Sequence, residues 1–211
     1  LDKMEKDVLV VSREILFDAE KDKFQGFKAH SDIDFHSRII KGFKYMKRGI
    51  AEEDETHKQP IGYALIVNPK TKKVYIYKRA MAGKNYTEKR LQNKWSMGIG
   101  GHIDREEEKE ANPIHSSLLR ELSEEVKIGQ FQTKVLGYIN DDEDSVGRVH
   151  FGIVYLVLTE SDVFPGDAES VFGEMKSFEE IKEIISAEDA TLENWSEIAI
   201  DFLEKNLSEI V

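Results

Sequence analysis

Residues 100–128 read GGHIDREEEKEANPIHSSLLRELSEEVKI, and the cluster near the end of that run, Arg120, Glu121, Glu124 and Glu125, constrains this chain more than any other feature. At about 100° per helical residue, Ile114, Leu118, Leu119, Leu122 and Val126 fill one apolar arc. Glu121 and Glu124 lie just beside that arc and Glu125 falls inside its edge, whereas a solvated acidic face would sit opposite it. Like charges three and four residues apart cost a helix about 0.2–0.5 kcal/mol per pair, and more where water is partly excluded, so the cluster calls for a counter-charge. Hard oxygen donors of this kind suit Mg²⁺ or Mn²⁺. A string such as LRELSEE is common in ordinary amphipathic helices. Here a glycine pair, Gly100 and Gly101, feeds a helix capped by Asn112 and started by Pro113, and that context turns the reading toward a metal site.

The segment resembles the signature of the Nudix hydrolases, G-x5-E-x7-R-E-U-x-E-E-x-G-U with U an aliphatic residue. Arg120, Glu121, Leu122, Glu124, Glu125 and Ile128 occupy its second half in register. The first half departs from the pattern. Counting back from Arg120, the slot of the signature glutamate holds Asn112 and the slot of its glycine holds Glu106, while the glycine pair lies further upstream, as an insertion in the loop would place it. The sequence is similar to a Nudix-like branch of phosphoesterases or phosphohydrolases.

The resemblance implies an α/β (α+β) Nudix fold, a mixed β-sheet sandwiched between helices. It also implies metal-dependent hydrolysis of a phosphoanhydride or phosphoester in a small nucleotide-like substrate by metal-activated water. By position, Glu121, Glu124 and Glu125 would be ligands of Mg²⁺ (or Mn²⁺), with the carbonyl of Gly101 as a further ligand, and Arg120 would orient or neutralise the carboxylates through its planar fork. Asn112 cannot serve as a base, so a loop acid, if one is needed, would come from Asp104, Glu106, Glu107 or Glu108. The alternative is a Nudix-fold module that senses a nucleotide-like ligand without turnover. The intact quartet Arg120, Glu121, Glu124 and Glu125 favours chemistry, while the inserted loop and Asn112 keep the alternative open. His102 and His150 read as hydrogen-bonded structural histidines on strands, with a proton-transfer role the lesser alternative.

Charge bears on partners. The net charge of −11 argues against nonspecific binding to nucleic acid. Between Lys70 and Lys94 the balance reverses, with nine Lys or Arg against the single acid Glu88, so Arg79, Lys84 and Arg90 are candidate contacts for substrate phosphates. For any one of them a solvated turn is the plainer reading. The chain has no cysteine, which excludes a thiol nucleophile and a zinc-thiolate site and is compatible with a reducing cytoplasmic setting. No apolar run reaches the roughly 18 residues of a membrane span, and no signal-peptide pattern opens the sequence. A homodimer is compatible with the exposed strands and the N-terminal element.

Periodicity supplies the remaining elements of one 211-residue domain, with 1–58 as an N-terminal extension packed on a Nudix core of 59–211. Residues 8–11 and 14–17 read as an entry strand or hairpin. Phe35, Ile39, Ile40 and Phe43 recur at helical spacing after a Ser-Asp start. Residues 61–67 and 73–78 form a hairpin about the turn 68–71, and 95–103 lead as a strand into the glycine loop. Residues 133–139 and 148–158 pair around an acidic turn, 141–144, which reads as a solvated tip rather than a remote metal contact. Residues 51–58 read as a polar loop, and 161–176 is the stretch that could carry a late acid. Helices over 178–186 and from Leu192 onward close the domain.

Overall fold

The computed structural model describes residues 2–79, 94–105, 110–166, 170–187 and 190–211. In chain order the elements are β1 (Asp7–Ser12), α1 (Arg13–Leu16), β2 (Gly26–Ala29), α2 (Phe35–Gly42), β3 (Lys44–Lys47), α3 (Arg48–Ala51), β4 (His57–Val67), β5 (Val74–Arg79), β6 (Lys94–Ser96), β7 (Gly98–Ile99) and α4 (Pro113–Glu125). They continue through β8 (Val126–Ile128), β9 (Gln132–Asn140), α5 (Ser145–Val149), β10 (His150–Leu158), β11 (Val163–Pro165), β12 (Ser170–Lys176), α6 (Phe178–Ile185), β13 (Thr191–Leu192) and α7 (Asn194–Ile210). This is a mixed α/β architecture in which antiparallel pairs predominate and the β13–β6 pair is parallel. The chain divides into two compact units, the first of Leu1–Tyr63, Gly100–Arg120 and Val135–Tyr155, the second of Ala64–Ile99, Glu121–Lys134 and Leu156–Val211.

In the first unit β1 pairs antiparallel with β3, from Asp7 opposite Lys47 to Val10 opposite Lys44, and with the start of β4, Val11 opposite Lys58. β2 lies antiparallel to β9. The core beneath them is aromatic. Phe17, Phe24, Phe35, Tyr138 and Phe151 meet at centroid distances of 5.1–6.5 Å, mostly edge to face, as ring quadrupoles prefer.

Two expectations change here. Residues 14–17 belong mainly to a helical turn rather than a strand, because Ser12 Oγ accepts the Ile15 N–H at 3.3 Å and starts a helix too short to show a period. The helix over residues 35–42 is capped by Asp34, whose carboxylate accepts from Ser37 N at 2.9 Å, and Phe43 already lies beyond it in extended conformation.

In the second unit β5 pairs with β12, from Arg79 opposite Ser170 to Val74 opposite Lys176, and with β6 through Tyr77 opposite Ser96. The end of β4 pairs with β7, and β8 with β11. The stretch over 161–176, read only as a place for a late acid, contains the strands β11 and β12. The sequence conceals this because a register shift between Ser170 and Phe172 interrupts the alternation of SVFGEMK. α6 begins with a capping box, Ser177 Oγ accepting from Glu180 N while the Glu180 carboxylate accepts from Ser177 N. Leu65, Ile66, Tyr75, Ile76, Met97, Leu122, Ile181 and Leu203 are buried.

The acidic turn is reversed in its first half. Asp141 is 3 % exposed and Asp142 takes part in a partly buried ion cluster, whereas Glu143 and Asp144 are exposed as in a solvated tip. Lys58, read as loop, lies on β4 with no exposed surface. Its Nζ stands 2.6 Å from Asp142 Oδ1 and 2.6 Å from the Gly147 carbonyl, and Arg13 donates to the same carboxylate at 3.1 and 3.2 Å. Burial lowers the Lys58 pKa to about 8 against the opposing pull of Asp142. Burial would raise the Asp142 pKa, but hydrogen bonds from Arg13 and Lys58 outweigh it and hold the carboxyl well below the usual range.

Candidate functional site

The glycine loop is set by backbone contact. A Cβ at Gly100 would lie 1.8 Å from the Gly62 carbonyl oxygen of β4, so only glycine lets the chain pass at this distance. The following residues are gripped between two strands, with bridges Ile61 to His102 and Val8 to Asp104, and with Leu9 N donating to Ile103 O at 2.8 Å. From α4, Arg120 Nη2 donates to the His102 carbonyl and to Ser117 Oγ, each at 3.4 Å. Arg120 thus ties the helix to the loop through the same carbonyl, a contact made by its fork and outside the roles assigned to it from sequence.

α4 forms as its sequence prescribes. Asn112 Oδ1 accepts from His115 N at 3.1 Å, satisfying an orphan donor at the first turn, and Pro113 opens the helix. Ile114, Leu118, Leu122 and Val126 are buried, but Leu119 is 38 % exposed, so the apolar arc is narrower than its spacing suggests. Glu121 and Glu125 are half-buried and Glu124 is exposed. In the second unit the last turn of α4 is anchored at its carbonyls, since Gly166 N donates to Glu125 O at 2.8 Å. A Cβ at Gly166 would stand 2.7 Å from the Glu125 carbonyl carbon and 2.9 Å from the Glu124 carbonyl oxygen. Tyr75 feels the Glu125 charge. Burial first, and that negative charge second, push its pKa up to about 12, so the phenol stays protonated.

In the first unit His102 meets two residues that spacing alone does not connect to it. Its Nε2 lies 3.1 Å from Nε2 of His150 and 3.6 Å from Oε1 of Glu52. Burial, together with the positive charges of Arg48, His150 and Lys3, drives the His102 pKa well below its ordinary value, leaving a neutral imidazole. Burial also lowers His150, opposed by the Val146 carbonyl and by Glu52.

No protein-family model matches the chain. It is 34 % identical to protein YmaB of Bacillus subtilis (strain 168) over 213 aligned positions, 96 % of this chain and 99 % of that protein. Its fold superposes on the crystal structure of Tm1382, provisionally classed as a Nudix hydrolase, with a TM-score of 0.70 and 27 % identity over 95 % of this chain and 99 % of that one. The chain belongs to the Nudix hydrolase superfamily. The Nudix domain of Shewanella oneidensis NrtR, solved with ADP-ribose, shares the fold alone, at a TM-score of 0.52 and 13 % identity over 73 % of this chain and 89 % of that one.

The other sequence candidates are placed as follows on this Nudix scaffold. Gly101 sits in the gripped loop of the first unit, directly before His102. Arg79 ends β5. Lys84 and Arg90 lie outside the described residues, as do Glu106, Glu107 and Glu108. Asp104 Oδ2 is 3.2 Å from Lys6 Nζ. Glu174 lies on β12 with Lys176 Nζ 2.5 Å away. Among the described residues no helix is long and apolar enough to cross a membrane.

Proposed function

We propose that this Nudix protein is a metal-dependent phosphohydrolase acting on a small nucleotide-like phosphoanhydride or phosphoester. The observation that carries the reading is the placing of Glu121, Glu124 and Glu125 on the anchored last turns of α4, in register with the signature of the superfamily. Three carboxylates within five residues offer the hard oxygen donors that Mg²⁺ or Mn²⁺ takes, and the signature adds the Gly101 carbonyl as a further donor by sequence position. When bound, the cation would polarise a phosphoryl oxygen and increase the acidity of water. The chain's own residues do the positioning. Arg120 holds the loop at the His102 carbonyl, Asn112 fixes the start of the helix, and Gly166 fixes its end. Arg79, Lys84 and Arg90 would supply positive charge to the substrate phosphates.

Glu124→Gln removes one charge at an exposed position with little change of shape. With Mg²⁺ present, phosphate or nucleotide release across nucleoside triphosphates, dinucleotides, nucleotide sugars and simple phosphoesters should fall about 100-fold or more. Loss of an outer-shell partner alone typically costs 10–100-fold. Equal rates in the two proteins would remove Glu124 from the chemistry. A ligand-sensing module is the second reading, favoured by Asn112, which fills the signature acid's slot with a cap. NrtR, whose Nudix domain holds ADP-ribose, shows the fold in a protein with such a ligand bound. Saturable binding of a nucleotide-like ligand with no turnover of any substrate would select it.

A further inference from the structure

Glu52, His102 and His150 converge from three separate stretches of the first unit. Glu52 follows α3, His102 lies in the gripped loop, and His150 opens β10 directly after α5. His102 Nε2 and His150 Nε2 are 3.1 Å apart. Glu52 Oε1 is 3.6 Å from the former and Glu52 Oε2 is 3.9 Å from the latter. One ligand atom from each of the three falls within 4.8 Å of the others. A tetrahedral cation with donors at about 2.0–2.1 Å sets neighbouring donors roughly 3.4 Å apart, close to the 3.1 Å between the two imidazole nitrogens and the 3.6 Å from His102 Nε2 to Glu52 Oε1. The rings stand at 75° to each other, edge to face rather than stacked.

The surroundings orient the donors. His150 Nδ1 is 2.7 Å from the Val146 carbonyl, so Nδ1 carries the hydrogen and Nε2 turns its lone pair to the centre. Arg48 Nε holds Glu52 Oε1 at 3.1 Å, which fixes the carboxylate while leaving Oε2 toward His150. Arg48 also brings an opposing positive charge, which the Glu52 carboxylate offsets. Side-chain exposures of 24 % for Glu52, 19 % for His102 and 9 % for His150 leave an approach on the Glu52 side. With no cation, the same geometry makes a single hydrogen bond from His102 Nε2–H to His150 Nε2.

We propose that Glu52, His102 and His150 form a binding site for a zinc-type divalent transition cation, separate in ligands and in metal preference from the carboxylates of α4. Two imidazoles and one carboxylate select a borderline cation, where the oxygen-only set suits Mg²⁺. Three protein ligands leave a fourth position open to water or to an incoming donor atom. Because His102 directly follows the glycine pair, such a cation would also pin that loop to α3 and β10.

The test is equilibrium dialysis of the chelator-stripped full chain against Zn²⁺, with Co²⁺ as a visible-absorbing stand-in. The wild type should take up one Zn²⁺ per chain at this site, in excess of any bound by Glu52→Gln and His150→Gln. Both variants should bind it at least 10-fold more weakly and lose the Co²⁺ absorption band. Glu124→Gln should keep it, which separates this site from the one in the proposed hydrolase reading. Circular dichroism checks that each variant is folded. If the buried His150→Gln is not, Glu52→Gln at the open side of the cluster carries the result. Wild-type Zn²⁺ uptake matched by Glu52→Gln, or uptake lost in Glu124→Gln alone, would overturn the proposal.

Discussion

At the scale of single residues, the strongest structural commitment is the Lys58 ammonium, enclosed on β4 and neutralised by Asp142. A buried charge that loses its partner keeps its desolvation cost without the compensating attraction, and breaking such a pair typically costs about 3–5 kcal/mol. Asp142→Asn should therefore lower unfolding free energy by about 3 kcal/mol in denaturant titration at neutral pH, even though residue 142 lies on a turn where substitutions are usually mild. Arg13 and Lys23 also lose a partner, which adds to the effect. A loss below about 0.5 kcal/mol would show that water or another group reaches Lys58 as well as Asp142 does.

At the scale of elements, the glycine loop and α4 were legible because their determinants are local. A cap, a proline and an aliphatic period lie within 15 residues of one another. Leu119 escaped because periodicity draws an arc but not the width that neighbours cover. Glu52 escaped because its contact with His102 joins residues 50 positions apart in sequence, and nothing in its polar neighbourhood marks it out. The acidic turn hides its pairing for the same reason, since the lysine that holds Asp142 sits 84 positions away. The loop itself gives a test. Gly100→Ala places a methyl 1.8 Å from the Gly62 carbonyl oxygen, a backbone atom that cannot swing aside. Overpacking of this kind costs about 1–3 kcal/mol. The variant should melt earlier and, under the proposed hydrolase function, turn over more slowly with the loop displaced. Gly49→Ala, whose added carbon would stand 3.4 Å from the Met4 carbonyl oxygen, should do neither to a comparable degree. Equal melting of the two variants would mean that the loop, not β4, gives way freely.

At the scale of the whole molecule, acid acts in two opposed ways. The chain carries a net charge of −11, so protonating exposed carboxylates first relieves self-repulsion. Asp7, Glu20, Asp34, Asp54, Asp142 and Glu180 all have pKa values below their ordinary ones, held there by cations, hydroxyls or backbone N–H groups. A carboxylate depressed by folding contributes stability above its unfolded pKa, near 4, and loses it as pH falls toward the folded value, because the unfolded chain then binds more protons. The two effects can be separated by comparison, since wild type and Asp142→Asn differ by one charge and share the rest of the field. The stability gap between them should be widest at pH 6–7, where Asp142 is ionised in both folded and unfolded chains and Lys58 is charged. It should narrow steadily from about pH 4 downward, where the wild type must strip Asp142 of its ion pairs to unfold with proton uptake. Denaturant titrations of both proteins between pH 7 and 2.5 measure that gap directly. A difference that stays constant across the range would mean that the Asp142 carboxyl is not held down by Arg13 and Lys58, and that the partly buried ion cluster contributes packing rather than charge.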